Sequence, residues 1–287
     1  MSENRPVVIA LDGGLHSTTT LDWGLAEADL RGADVMLVRT WQDPVEATAW
    51  GWYPMTGDWG YAEEAERYLK AQQERASSEL PGRTVTVRAL YGPEVPALRD
   101  VAADAQLLVV GSCSVEDGGR LGRVASHLAA HAAAPVAVVR APQASPSSPV
   151  VVGVDGSQVS FDAVRVAARE AALRGVPLVL LHARRTVPDP YGTRTVPAAT
   201  LAPDDPLHTA AGALADEVRA EHPGLTVEVE IVEDDPAHAL IERSHSARLV
   251  VVGTRGFGAF RGMLLGSVSH DVLRRATCTV LVAREAR

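Results

Sequence analysis

Val7-Val8-Ile9-Ala10-Leu11-Asp12-Gly13 returns 143 positions later as Val150-Val151-Val152-Gly153-Val154-Asp155-Gly156 in a chain of 287 residues. The same offset lays Glu27-Ala28-Asp29-Leu30-Arg31-Gly32 on Glu170-Ala171-Ala172-Leu173-Arg174-Gly175. An offset of 142 lays Leu107-Leu108-Val109-Val110-Gly111 on Leu249-Val250-Val251-Val252-Gly253, and Val138-Val139 on Val280-Leu281. Four anchors in register over half a chain mark a duplication. A period this long is a whole domain rather than one unit of a solenoid.

Between the copies, Pro142-Gln143-Ala144-Ser145-Pro146-Ser147-Ser148-Pro149 has no periodicity and three prolines, which favour extended backbone. The expected organisation is therefore a first domain over 1–141, a linker over 142–149 and a second domain over 150–287. Within the second copy, strands are expected from Val150 to Val154, Leu178 to Ala183, Thr226 to Ile231, Arg248 to Val252 and Thr279 to Ala283. Helices are expected between them, from Phe161 to Arg174, Leu207 to Glu221, Pro236 to Ser246 and Ser267 to Arg275. Near-continuous Val/Leu runs indicate strands buried on both faces. Their alternation with helices gives an α/β fold, two tandem doubly wound five-stranded parallel-sheet domains with right-handed crossovers. Ligands of such sheets bind beyond the carboxyl ends of the strands, where the winding reverses.

Composition excludes several function classes. With 46% hydrophobic and 22% charged residues the chain has material for two cores, so wholesale disorder is ruled out. Cys113 and Cys278 form no metal-ligand spacing and no disulfide framework, which fits a reducing compartment. The polar start Ser2-Glu3-Asn4-Arg5 leads into an apolar stretch too short for a signal peptide, and no run of about 18 apolar residues exists. A cytoplasmic location away from membranes is the expectation. Lys70 is the sole lysine and lies in a helical-looking stretch, so a P-loop is absent. The net charge of −9 and the scattered arginines do not make a nucleic-acid stripe.

In the second copy, strand four opens into Gly253-Thr254-Arg255-Gly256, and after further loop residues Gly266-Ser267 begin a helix. Glycines let backbone amides approach a ligand, and a helix N-terminus adds unpaired N–H groups with partial positive charge. Ser267 can donate to a phosphate oxygen, and Arg255 and Arg261 bring charge. The plain alternative is a loop that ends in a helix cap, since serine is a favoured N-cap. The spacing Gly253, two residues, Gly256, nine residues, Gly266-Ser267 resembles the G-2x-G-9x-G-[S/T] pattern of ATP-binding members of the universal stress protein family. Val150 to Gly156 looks like that family's first strand, and Pro236-Ala237 with Leu240 like its segment before strand four. The resemblance runs from about Pro6 to Arg140 and from about Pro149 to Arg284, as in tandem members.

That resemblance implies a Rossmann-like, adenine nucleotide alpha hydrolase-like fold and a set of nucleotide contacts. Asp155 matches the aspartate beside the adenosine. Ala183, after His182, matches the position whose backbone meets adenine. Val252, Gly253, Gly256, Gly266, Ser267 and Val268 match the residues lining ribose and phosphates, with Thr254 and Arg255 inside the same loop. ATP is the implied ligand, with Mg2+ as a bridge between phosphates, for which no dedicated carboxylate cage is visible.

At the same offset Gly111 persists in the first copy, but Ser114 stands at the place of Gly256, Val124 at that of Gly266 and Ala125 at that of Ser267. Glu116 and Asp117 add negative charge, which repels phosphate. The first copy is therefore expected to have lost ATP binding while keeping Asp12, although Arg120, Arg123, Gly118, Gly119 and Gly122 leave another anion open. Asp12-Gly13-Gly14-Leu15-His16-Ser17 superficially resembles the SGGxDS loop of ATP pyrophosphatases, without its leading serine and internal aspartate. His127 and His131, one helical turn apart, read as a helix surface rather than two metal ligands. His182 reads as a satisfied strand-end histidine, and the cysteines as small apolar fillers. Trp41, Trp50, Trp52, Trp59, Tyr53 and Tyr61 concentrate aromatic surface after strand two, which suggests an interface or a lid.

The leading expectation is a nucleotide-dependent stress or regulatory protein. A nucleotide-independent interaction scaffold and a slow ATP-hydrolysing enzyme are the alternatives, and no residue set nominates a catalytic base. In the family the last strand pairs subunits, so Val136 to Arg140 and Thr279 to Ala283 are the expected meeting strands of an internal pseudo-dimer. A monomer and a further homodimer stay equally open.

Overall fold

The computed structural model describes residues 5–14, 16–42, 60–112, 121–141, 144–184, 186–188, 195–197, 206–256 and 265–284. It divides into two compact units, Met1–Gly111 with Ala132–Ala134, and Ser112–His131 with Pro135–Arg287.

The first unit holds β1 (Val7–Ala10), α1 (Ser17–Arg31), β2 (Val35–Trp41), α2 (Tyr61–Glu79), β3 (Val85–Tyr91), α3 (Glu94–Ala102) and β4 (Leu107–Gly111). Its strands lie in the order β4-β1-β2-β3, and β1 pairs in parallel with both β2 and β4. Val7, Val8, Ile9, Leu107, Leu108 and Val109 are all fully buried, as a strand covered on both faces requires.

The second unit begins with α4 (Arg123–His131) and β5 (Val136–Val139). It continues with β6 (Val150–Gly153), α5 (Gln158–Arg174), β7 (Leu178–Arg184), a small hairpin of β8 (Thr186–Pro188) and β9 (Thr195–Pro197), and α6 (Pro206–Glu221). It ends with β10 (Val227–Glu233), α7 (Pro236–Ser244), β11 (Leu249–Val252), α8 (Ser267–Arg275) and β12 (Thr279–Val282). The strand order is β10-β7-β6-β11-β12-β5. The first five strands of that order are parallel. β5 runs antiparallel to β12, with Val138 opposite Val280, Ala137 opposite Leu281 and Val136 opposite Val282. The expected meeting strands of the two copies thus pair within one chain. The antiparallel hairpin of β8 and β9 was not expected from sequence: its strands are three residues each, too short to show a period.

Both long first helices end on a left-handed glycine, Gly32 and Gly175, whose amide returns to the last helical turn. One turn earlier each carries a buried glutamate bonded to an arginine four residues on, Glu27 to Arg31 and Glu170 to Arg174. The repeated Glu-Ala-x-Leu-Arg-Gly segment is therefore a buried ion pair followed by a helix stop. The helical stretch carrying Lys70 is α2, as its pattern indicates. Among the described residues no helix is long and apolar enough to cross a membrane.

Candidate functional site

In the second copy the winding reverses at β6, which lies between β7 and β11, so the carboxyl ends of β6 and β11 border the crevice. β6 leads into Val154-Asp155-Gly156. Gly156 adopts φ +85°, a turn that a side chain would strain. Asp155 Oδ1 accepts from the Ser157 amide at 3.0 Å and from the Ser157 hydroxyl at 2.6 Å. Ser157 in turn caps α5, its Oγ accepting from the Ser160 amide at 3.2 Å. The carboxylate is thereby fixed at the mouth of the switch point.

The loop after β11 closes on that carboxylate. A Cβ placed on Gly256 would overlap Asp155 Oδ2, so any other residue there would have to displace the carboxylate. Gly253 is equally enclosed: a Cβ there would lie 2.7 Å from Val159 Cγ1 and 3.2 Å from the Val159 carbonyl oxygen. The far end of the loop folds back, the Gly266 amide donating to Thr254 O at 2.8 Å. Gly266 is the N-cap of α8. Ser269 Oγ donates to the Gly253 carbonyl at 2.7 Å, which ties the helix to the start of the loop. Asp155, Gly253, Thr254, Arg255, Gly256 and Gly266 are thus brought together, with Ser267 exposed and Val268 half-buried on the first turn of α8. Val252 ends β11, and its carbonyl accepts from the Ala283 amide at 2.8 Å. Ala183 stands two strands from β11, at the carboxyl end of β7 and half-buried. Arg261 lies outside the described residues.

His182 is buried and its Nδ1 donates to the Val154 carbonyl at 2.7 Å, so the imidazole is a satisfied strut beneath the Asp155 turn. Cys278 is buried and burial pushes its thiol up to about 11, which makes it an unreactive filler. His127 and His131 stack on α4 with ring centroids 5.6 Å apart, and His131 Nδ1 donates to the His127 carbonyl at 2.9 Å. Among the described residues no three His, Cys, Asp or Glu side chains gather as a metal site. Ser157, Ser160 and Ser269 support the site but escaped the sequence analysis. Ser157 has a readable signal, an Asp-x-Ser turn before a helix, whereas Ser269 has none because its bond reaches back 16 residues.

The first copy requires a correction. The Gly122 amide donates to Ser112 O at 3.0 Å and the Ser126 amide to Gly122 O at 3.0 Å. These are the bonds that Gly266 makes with Thr254 and His270 makes with Gly266. The burial pattern agrees: Ala125, Leu128 and Ala129 are buried on α4 where Ser269, Val272 and Leu273 are on α8. Gly122, not Val124, is therefore the counterpart of Gly266, and Arg123, not Ala125, that of Ser267. The loop is two residues shorter, and a fixed offset of 142 hides the deletion. Cys113, Ser114, Glu116, Asp117, Gly118, Gly119 and Arg120 lie outside the described residues.

In the first unit Asp12 keeps its role, with Oδ1 accepting from the Gly14 amide at 2.8 Å and from Ser17 Oγ at 2.6 Å. The counterpart of His182 is Arg39. Its guanidinium carbon lies 3.3 Å from the place of a Cβ on Gly13, stacks 4.9 Å over the Tyr68 ring, and its Nη2 pairs with Glu64 at 3.3 Å. Trp41 packs edge-on against Tyr91 at 4.8 Å. Tyr61 opens α2 and is exposed, and Trp50, Trp52, Tyr53 and Trp59 lie outside the described residues.

The family model described as the Universal stress protein family matches residues 3–140 and 147–284. Universal stress protein Rv2005c of Mycobacterium tuberculosis is 34% identical over 98% of this chain and 97% of its own. Universal stress protein Rv1996 of the same organism is 32% identical over 98% of this chain and 95% of its own. Among solved structures, a universal stress protein from Archaeoglobus fulgidus aligns over 98% of this chain and 99% of its own, with a TM-score of 0.71 at 18% identity, a likeness of fold.

Proposed function

The chain belongs to the universal stress protein family, and on that premise we propose that its second copy binds one adenine nucleotide, ATP, as a cytoplasmic stress-regulatory protein rather than an efficient enzyme. The observation that carries this reading is the closure of the Gly253–Gly256 loop onto Asp155, with the α8 N-terminus folded back beside it. The triphosphate lies on the amides of Gly253 to Gly256 and the first turn of α8, with Ser267 and Arg255 donating to phosphate oxygens. Asp155 takes the ribose side, and the Ala183 backbone the adenine edge. Mg2+ enters only as the counter-ion of the nucleotide phosphates.

The first copy contributes no second nucleotide. Arg39 stands where the second copy has a buried histidine. Arg123 in place of Ser267 adds positive charge but brings no hydroxyl. Denaturing the purified protein and resolving the supernatant by ion exchange should show adenine nucleotide. Calorimetry on nucleotide-free protein should give one site per chain, and two sites would refute the asymmetry. Gly266→Asp puts a carboxylate beside the phosphates and should abolish binding; retained binding would refute the site. The antiparallel pairing of β5 with β12 supports an internal pseudo-dimer as the frame in which occupancy is read out.

A further inference from the structure

Arg140 and Arg284 follow β5 and β12, and each reaches the last turn of the other copy's final helix. Arg140 Nη2 donates to the Leu273 carbonyl of α8, and Arg284 Nη2 donates to the Ala129 carbonyl of α4 at 2.6 Å. Leu273 and Ala129 are counterparts under the corrected alignment, so the two bonds are related by the pseudo-symmetry of the duplication. A cation at a helix C-terminus is favourable, because the unpaired carbonyls there carry partial negative charge.

The two arginines differ in what lies behind them. The bond from Ala283 to Val252 O, and the register of Val282 opposite Val252, place Arg284 beside the start of the Gly253–Gly256 loop. Burial lowers the affinity of the Arg284 guanidinium for its proton, and the like charge of Arg255 adds to that. Arg140 is lowered by burial as well, and the Cys278 thiol beside it opposes that shift rather than adding to it. Each also has a buried guanidinium nitrogen without a hydrogen-bond partner among the described residues, Nη1 of Arg140 and Nε of Arg284. Arg284 is thus a half-buried cation with the like charge of Arg255 acting on it, at the edge of the Gly253–Gly256 loop.

We infer that Arg284 is a positioning residue that couples anion occupancy of the Gly253–Gly256 loop and the first turn of α8 to α4 of the first copy, so that a bound triphosphate tightens the Arg284–Ala129 bond. The inference rests on the nucleotide reading of that loop and adds how its occupancy is transmitted. The polyphosphate charge offsets the repulsion between Arg255 and Arg284, and the guanidinium then stays on the helix carbonyl. Linkage makes the effect reciprocal: what ATP adds to the bond, the bond adds to ATP affinity.

Hydrogen exchange of the intact chain with and without ATP tests this, read on peptides spanning Ala129 to Ala134 and, as internal control, Leu273 to Thr277. ATP should slow exchange at the α4 end and leave the α8 end unchanged. Arg284→Met should abolish that protection and weaken ATP binding at least about fivefold, the lower end of ordinary coupling between sites. Arg140→Met should leave ATP affinity unchanged. Should Arg284→Met fold poorly by thermal melt, Arg255→Met at saturating ATP keeps the Ala129 bond and should still lose the ATP response. Unchanged α4 exchange in a wild-type protein that binds ATP overturns the coupling alone, as does full protection in Arg284→Met. A wild-type protein that binds no ATP overturns the coupling together with the nucleotide reading.

Discussion

The two copies share a scaffold down to individual bonds and part company at the carboxyl edge of their sheets. Asp12 and Asp155 each fold a turn around their own side chain, behind a left-handed glycine. Gly122 and Gly266 each return a helix start to the loop after strand four. Yet Arg39 lies against Gly13 in one copy, while His182 is buried beneath the turn in the other. Duplication has kept the backbone geometry of this edge and varied the side chains that line it. A lost glycine in an alignment is therefore weaker grounds for a lost site than the bonds its backbone makes.

The largest effect expected on the shared scaffold comes from the buried ion pairs. Removing the acidic partner of a buried arginine is destabilising, by up to about 3–5 kcal/mol. The side chains of Glu170 and Arg174 are 3% and 5% exposed, against 2% and 16% for Glu27 and Arg31. Glu170→Ala should therefore lower the denaturation midpoint more than Glu27→Ala, because water reaches Arg31 more readily. Equal losses in chemical denaturation would mean that the copies hold the pair in equivalent surroundings.

Next in size is Gly256→Ala, which separates the copies chemically. The added methyl meets Asp155 Oδ2, and an overpacked contact costs about 1–3 kcal/mol, about five- to 140-fold in affinity if it falls on the bound loop. Calorimetry should show weakened ATP binding with no second site emerging from the first copy. Wild-type affinity would show that the loop does not need the close approach.

Much of this comparison was legible in the sequence. The repeat, the parallel strands of the second copy and the helix that begins at Ser267 follow from apolar runs and glycine punctuation, which are local signals. The counterpart of Gly266 was not legible, because a two-residue deletion between Gly111 and Gly122 leaves no mark in composition and only hydrogen bonds restore the register. Ser269 and Arg284 stayed hidden for a related reason. Their partners, Gly253 and Ala129, are distant in sequence, and nothing local distinguishes a serine or arginine that makes such a bond.

A smaller effect is expected where the cores compensate each other. Gly24 of α1 faces Ile9, and a Cβ there would lie 2.5 Å from Ile9 Cδ1. The second copy has Ala167 and Val152 at these positions, both fully buried: one methylene more on the helix and one fewer on the strand. Gly24→Ala gains up to about 1 kcal/mol of helix propensity and loses about 1–3 kcal/mol to overpacking. It should be mildly destabilising alone and recover when combined with Ile9→Val. A double-mutant cycle without coupling would show that the two positions do not share their volume.

The smallest effect separates the helices before strand four. α3 starts after Pro93 with no side-chain cap, whereas the Asp235 carboxylate caps α7, accepting from the Ala237 amide at 2.9 Å. His238 on the first turn of α7 donates from Nδ1 to Asp234 Oδ2 at 2.6 Å, where the first copy has Pro96 and nothing to titrate. The hydrogen bond to Asp234 holds His238 above its ordinary value of 6.5, and the same bond holds Asp234 below its own. A raised histidine gives stability that is complete below pH 6.5 and lost as pH rises through the folded-state value. Both groups are exposed, so the titration itself is the measurement: the His238 ring resonance should move at a higher pH than 6.5. Asp234→Asn should bring that midpoint down, and a midpoint indifferent to the substitution would assign the shift to the rest of the helix start.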